Sequence, residues 1–209
     1  MNKITRISTI RHGQTAYNTE KRYAGTIDVP LNEKGIRDAK NAAEGLKDYD
    51  FDVVISSGLK RAIRTAELLT ARRNILIIKN ELCNERNYGR MQGFNYIEVE
   101  EIDPPVLYIK LNNDFHSLNP PDGETFFSLR KRAKAFNNYL FQNYIGSNIL
   151  VVSSSAFLQQ MHGVFRGTDW KESLRNEIHN LACITFTFKG RNLIDEQTVE
   201  LVKGIGTDF

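Results

Sequence analysis

Cysteine is nearly missing from this chain. Cys83 and Cys183 are the two in 209 residues, and they stand far apart. They form neither a C-x-x-C pair nor a metal-ligand spacing, so no disulfide framework is built, and a reducing, cytoplasmic setting is expected. Long apolar runs are absent too. The longest purely aliphatic stretches, Ile75–Ile78 and Ile149–Val152, have four residues each, against the roughly 20 that a membrane-spanning helix needs. The opening MNKITRISTIRHGQT turns polar too early for a signal peptide. Charge is balanced as well, with 28 Lys plus Arg against 25 Asp plus Glu, a formal net of +3. That is too little excess to point to nucleic acid, though it leaves room for a local cationic pocket. With 14 Gly and 5 Pro the chain is not of low complexity, and 41% hydrophobic residues supply a core. A single domain spanning 1–209 is expected.

What is present alternates between strand-like and helix-like segments. Strands are predicted at Ile4–Ile10, Val53–Ser57, Ile75–Lys79 and Asn148–Ser153, with closing strands at Leu181–Phe188 and Leu193–Val202. Helices are predicted at Glu33–Leu46, with Asn32 as N-cap, and at Leu59–Ala71, Glu124–Tyr144 and Ala156–Phe165. Between Pro104-Pro105 and Pro120-Pro121 the pattern loosens, and a short helix is predicted over Val106–Leu111. The basic run Arg130-Lys131-Arg132-Ala133-Lys134 has the spacing of a solvated helix face, with Arg130 or Arg132 available to support the start of that helix. The aromatic residues that follow read as core or as a dimer face. Strands separated by helices predict an α/β three-layer sandwich, a mostly parallel central sheet flanked by helices. Sites in such sheets form beyond the carboxyl ends of the strands.

Three of those strand ends carry unusual chemistry. Arg11-His12-Gly13 follows the first strand. An imidazole there is a neutral nucleophile for phosphorus, beside an arginine fork that matches phosphate oxygens. A strand-end histidine bound to a carbonyl is the plainer alternative. Ser56-Ser57-Gly58-Leu59-Lys60-Arg61 opens a helix, whose first-turn amides favour anions. Arg61 opposes the helix dipole there, which suggests a ligand, unless it is simply solvated. Glu85 lies among arginines and glycines, either as a proton donor to a leaving oxygen or as a surface partner of Arg86 or Arg90.

Arg11-His12-Gly13-x-Thr15-x-x-Asn18 resembles the signature of the histidine phosphatase superfamily, which includes cofactor-dependent phosphoglycerate mutases and many small-metabolite phosphatases. Four further segments resemble that family in the same order: Asp28-x-Pro30-Leu31-x-x-x-Gly35, Ser56 to Ala66, Asn84-Glu85-Arg86-x-Tyr88-Gly89-x-x-Gln92-Gly93, and Asp122-Gly123-Glu124-Thr125. The resemblance implies a phosphoglycerate mutase-like fold. It implies His12 as the nucleophile that becomes phosphohistidine, Glu85 as acid and then base, and Arg11 and Arg61 as the phosphoryl clamp. Thr15, Asn18 and Gly25 would line the phosphate pocket. No metal and no other cofactor is called for, since guanidinium groups and amides supply the charge.

The sequence departs from the family where a second histidine is expected. In Val151-Val152-Ser153-Ser154-Ser155, Ser154 takes the histidine position and Ser155 that of a glycine. His116, His162 and His179 lie elsewhere. Tyr96 stands where the mutases carry a lysine, and Ala24 where they carry a hydroxyl. The stretch 98–121 holds Lys110 but no arginine. The expectation is therefore a metal-independent phosphomonoester hydrolase acting on a small metabolite, such as phosphoserine, a phosphosugar or a nucleoside phosphate like ribazole phosphate, with activity weakened by Ser154. The competing expectation is an impaired partner subunit, in a homodimer or in a heterodimer with an active paralogue. Phosphoglycerate mutase ranks third, and neither nucleic acid nor membrane is expected as a partner.

Overall fold

A computed structural model describes residues 3–112 and 114–201. In chain order, β1 is Ile4–Arg11, α1 Ala16–Thr19, α2 Glu33–Gly45, β2 Val53–Ser56, α3 Lys60–Leu69 and β3 Ile77–Lys79. Then come β4 (Tyr108–Leu111), β5 (Asp114–Ser117), α4 (Phe126–Asn143), β6 (Asn148–Ser153), α5 (Ser155–Arg166), α6 (Trp170–Ser173), β7 (Cys183–Lys189) and β8 (Asn192–Val199). Six strands form one sheet in the order β3-β2-β6-β1-β7-β8. The pairs from β3 to β1 run parallel, while β7 and β8 close the sheet antiparallel.

Successive residues of a strand point to opposite faces, and here both faces are apolar. Ile7, Ile55, Ile149 and Val151 pack into one core with Leu129, Phe136, Phe157 and Met161 from α4 and α5. Ile10, Val54, Leu150 and Val152 pack into a second with Ala39, Ala42, Ala62 and Ala66 from α2 and α3. The result is a three-layer α/β sandwich. Full burial of a Val or Ile side chain contributes roughly 1.5–3 kcal/mol, so the central strands anchor both layers. The helices start on side-chain caps where the sequence provides them: Asn32 accepts the Gly35 amide at 2.8 Å and Thr125 that of Ser128 at 3.2 Å.

Two expectations are corrected. Val106–Leu111 is not a helix. Tyr108–Leu111 pairs antiparallel with Asp114–Ser117 as a separate hairpin. Leu111 is buried while Tyr108 and Lys110 are exposed, which is a period of two, and Pro104-Pro105 favours extended backbone before it. The basic run is not a uniformly solvated face. Arg130 donates to the carbonyls of Gln160 and Thr168, and Arg132 forms a bidentate pair with Glu124 at 2.9 and 2.7 Å. The last predicted strand ends at Val199, and Val202 lies outside the described residues. Among the described residues no helix is long and apolar enough to cross a membrane.

Candidate active site

Strand β6 lies between β1 and β2, which brings three strand ends level. Arg11 pairs with Ser153 and Ser56 with Val152. The next residues continue the ladder, with His12 N donating to Ser153 O at 2.9 Å and Ser57 N to Val152 O at 3.0 Å. His12, Ser57 and Ser154 therefore emerge side by side at the carboxyl edge, where such sheets place ligands.

His12 is 4% exposed and held on every side. Its Nδ1 lies 2.7 Å from Gly13 O, so Nδ1 carries the proton and Nε2 the lone pair. Arg61 Nε is 3.1 Å from that Nε2. Asn180 donates to His12 O at 2.7 Å. Burial, then Arg61, then Arg11 hold the imidazole well below its usual pKa, against a smaller upward effect of the Gly13 bond. The ring is neutral at pH 7, as a nucleophile must be.

Arg61 is 1% exposed, which sets aside the solvated alternative. It donates to Ile27 O at 2.8 Å and Gly25 O at 2.7 Å. Helix α3 has no cap of its own, and Asp28 supplies one by accepting the Lys60 amide at 2.6 Å. Arg11 donates through Nη1 to Ile178 O at 2.7 Å, and its buried Nε has no partner. Among the described residues neither guanidinium is paired with a carboxylate. A buried and a half-buried cation, both bonded only to neutral groups, form a site that wants an anion.

Glu85 is buried. It accepts its neighbour Arg86 N at 2.7 Å, and Phe157 N and Ala156 N at 3.2 and 3.4 Å, from the first turn of α5. It is not a surface partner of the nearby arginines. Arg90 pairs with Asp122 at 3.3 Å, and the Arg86 side chain turns to Glu124 O at 2.7 Å and Ser117 Oγ at 3.3 Å. Glu85 lies within electrostatic range of both Arg11 and Arg61, so the acid and the two cations share one site. Arg132 fixes the segment from below, donating to the carbonyls of Leu82, Asn84 and Glu85 at 3.0, 2.6 and 3.2 Å.

Ser154 is the N-cap of α5. It is fully buried, makes no capping bond, and its Oγ has no partner. Ser155 Oγ reaches Ile178 O at 3.5 Å, the same carbonyl that holds Arg11. Thr15 and Asn18 form a capping box on α1, and Thr15 is wholly buried in it. The Asn18 oxygen accepts Thr15 N and Thr15 Oγ1 at 3.0 and 3.1 Å, which leaves its amide nitrogen as the group a ligand can use. Gly25 acts through its carbonyl on Arg61. Its φ of +51° favours glycine, and a Cβ there would stand 2.1 Å from the Gln92 side-chain oxygen, which would have to move.

The remaining histidines are elsewhere. His162 is buried in α5 with Nε2 2.8 Å from Thr9 Oγ1, and burial pushes its pKa down to about 3. His116 is half-buried on β5, and His179 lies 3.5 Å from Glu177. No cluster among the described residues has the composition of a metal site. Sequence reasoning missed Asn180, which no local pattern distinguishes. It read Arg86 only as a partner for Glu85, although an arginine that is 1% exposed and stacked 3.8 Å from the Phe126 ring belongs to the wall of the site.

The model of the histidine phosphatase superfamily (branch 1) matches residues 7–197. An uncharacterised phosphatase of Bacillus subtilis is 29% identical over 166 residues, 79% of this chain and 80% of that protein. A 2,3-bisphosphoglycerate-dependent phosphoglycerate mutase of Cytophaga hutchinsonii is 33% identical over 156 residues, 73% of each chain. Among solved structures, a protein of Escherichia coli described as a putative alpha-ribazole-5'-P phosphatase superposes with a TM-score of 0.83 at 24% identity, covering 98% of this chain and 99% of that one.

Proposed function

Since the chain belongs to the histidine phosphatase superfamily, we propose that it is a metal-independent phosphomonoester hydrolase working through a phosphohistidine at His12. The observation that carries this reading is the neutral His12 ring, its lone pair on Nε2 facing the buried Arg61. In the first step Nε2 attacks phosphorus and the ester P–O bond breaks. The leaving oxygen takes a proton from Glu85. In the second step water attacks the phosphohistidine, Glu85 accepts its proton, and phosphate departs with His12 restored. Arg11, Arg61 and the Asn18 amide hold the phosphoryl oxygens as charge moves onto them.

Ser154 stands where the family resemblance calls for a second imidazole. A hydroxyl reaches less far and carries no charge. Loss of one such donor costs about 3–4 kcal/mol, or roughly 10²–10³ in rate. The activity proposed is accordingly low, on a small phosphomonoester of the phosphoserine, phosphosugar or nucleoside phosphate type. Mutase action is disfavoured by Tyr96 and by a 98–121 segment whose basic residue is Lys110.

The test is metal-free phosphate release from a panel of small phosphomonoesters, with isomerisation of phosphoglycerate measured in parallel. The unaltered protein, His12→Ala and Ser154→His are compared. Release by the unaltered protein above that of His12→Ala is expected. Silence from both with turnover by Ser154→His would replace the hydrolase by a partner subunit of an active paralogue. Isomerisation exceeding release would make it a mutase.

A further inference from the structure

Three tyrosines pack as one body beside the phosphate clamp. The Tyr23 ring lies 5.0 Å from that of Tyr88 and 4.6 Å from that of Tyr96. The Tyr23 hydroxyl is hydrogen-bonded to Tyr108 of the β4–β5 hairpin. A short two-stranded ribbon holds the group. Tyr23 N donates to Phe94 O at 3.0 Å, Gly93 N to Tyr23 O at 2.8 Å and Tyr96 N to Lys21 O at 3.0 Å. Arg22 braces it, donating to Gly93 O at 2.8 Å.

The ribbon is tied directly to the catalytic groups. Tyr23 stands two residues before Gly25, whose carbonyl holds Arg61. Tyr88 stands three residues after Glu85 and packs against the Arg86 guanidinium at 5.3 Å. Tyr88 and Tyr96 are both within electrostatic range of Arg11.

The cluster has an open side. Tyr96 is 53% exposed and the adjacent Phe94 43%, although both are fixed by backbone hydrogen bonds. A rigid, uncovered aromatic surface at the mouth of a polar site is a surface for a ligand. Arg11 and Glu85 act on Tyr96 ahead of Asp114, and Glu177 acts on Arg11. Among the described cations nearby, Arg22 pairs with Glu20 at 2.7 Å and with Glu98 at 3.5 Å, Arg90 pairs with Asp122, and Lys110 lies over the Phe115 ring. Arg86 is buried with its Nη2 unpartnered, so charge alone does not select the leaving group. A compact alkylammonium would need rings set around it as a box, and rings 4.6–5.0 Å apart leave no gap between them.

We infer that the leaving group of the substrate carries a flat aromatic ring that stacks on the exposed face of Tyr96. The inference rests on the hydrolase reading for the position of the phosphate. Stacking of this kind is sequence-blind and shape-selective, so it favours aryl and heteroaryl phosphomonoesters as a class over aliphatic ones.

The experiment is calorimetric binding to the full chain carrying His12→Ala, which cannot form the phosphohistidine. The ligands are 1-naphthyl phosphate, glycerol 3-phosphate, 3-phosphoglycerate and choline phosphate. Naphthyl phosphate is expected to bind about tenfold tighter than glycerol phosphate. Adding Tyr96→Ala should bring that ratio close to one, while Tyr96→Phe should keep it. Equal binding of the two, tighter binding of 3-phosphoglycerate or choline phosphate, or a preference that survives Tyr96→Ala would overturn the aromatic subsite and leave the phosphate site standing. Failure of all four to bind would overturn both readings.

Discussion

Arg61 Nε and His12 Nε2 lie 3.1 Å apart, and the two side chains define each other. Burial, helped by the guanidinium, keeps the imidazole from protonating, and the imidazole is the acceptor that completes a donor set otherwise spent on Gly25 and Ile27. A phosphoryl group delivered to Nε2 meets the guanidinium at the same point.

Replacing Arg61 by lysine tests this arrangement. An ammonium is a point charge and cannot serve one ring nitrogen and two carbonyls together. Arg61→Lys is expected to lower kcat/KM by about 10²–10³. It also strips the Gly25 and Ile27 carbonyls of a donor, at a cost of roughly 1–3 kcal/mol in a urea melt.

Ser154→Ala separates fold from function. The hydroxyl is buried without a partner, so its removal should leave the melting temperature unchanged or slightly raised. On the proposed hydrolase reading the hydroxyl is a donor to the phosphoryl oxygens, and turnover should fall. A lower melting temperature with unaltered turnover would make Ser154 a structural residue.

Gly35→Ala is expected to damage the site from a distance. Gly35 lies in the first turn of α2, where alanine ordinarily stabilises a helix by up to about 1 kcal/mol. Here the new Cβ would stand 2.2 Å from Gln14 O and 2.7 Å from Gln14 N. Gln14 follows Gly13, whose amide is held by Thr65 Oγ1 at 3.0 Å. Overpacking costs typically 1–3 kcal/mol and should dominate. The melt would show a loss, and phosphate release would fall with the displaced loop.

The two buried histidines should shape the acid limb. Burial holds His12 well below 6.5, and His162 at about 3. In the unfolded chain both protonate near pH 6.5, so unfolding takes up protons below that pH and stability falls with pH. The contribution is whole above about pH 6.5 and is lost as pH falls towards the folded-state values. At about 1.4 kcal/mol per unit, the His162 share amounts to a few kcal/mol at most. Urea melts between pH 7 and 4 should show the decline, and His162→Gln should flatten it. Nitrogen NMR at pH 6 should find His12 neutral, with the proton on Nδ1.

The alternation of strands and helices was readable because burial leaves a local trace. Val53–Ser56 and Asn148–Ser153 are apolar on both faces, and α2 and α3 carry one apolar stripe each. Val106–Leu111 misled because a short apolar run has no period long enough to separate helix from strand. Its hairpin partner Asp114–Ser117 decides the matter. The support that Arg132 gives to Glu124 at the helix start was readable, whereas the carbonyl partners of Arg130 and Arg132 lie on other segments and left no local trace.

The sequence by itself determined the strands of the main sheet and the long helices beside them, the residue types at three strand ends and the family. It also fixed which groups are capable of phosphoryl chemistry. Tertiary structure decided which of them meet. Insertion of β6 between β2 and β1 sets His12 beside Ser154, and the loop carrying Gly25 and Ile27 turns Arg61 onto the imidazole. The Gly13 carbonyl chooses the tautomer, and the packing of Tyr23 against Tyr88 and Tyr96 raises an aromatic wall. The physical reason is range. Propensity and periodicity act over a few residues, whereas these contacts are set by sheet register and burial between segments remote in sequence.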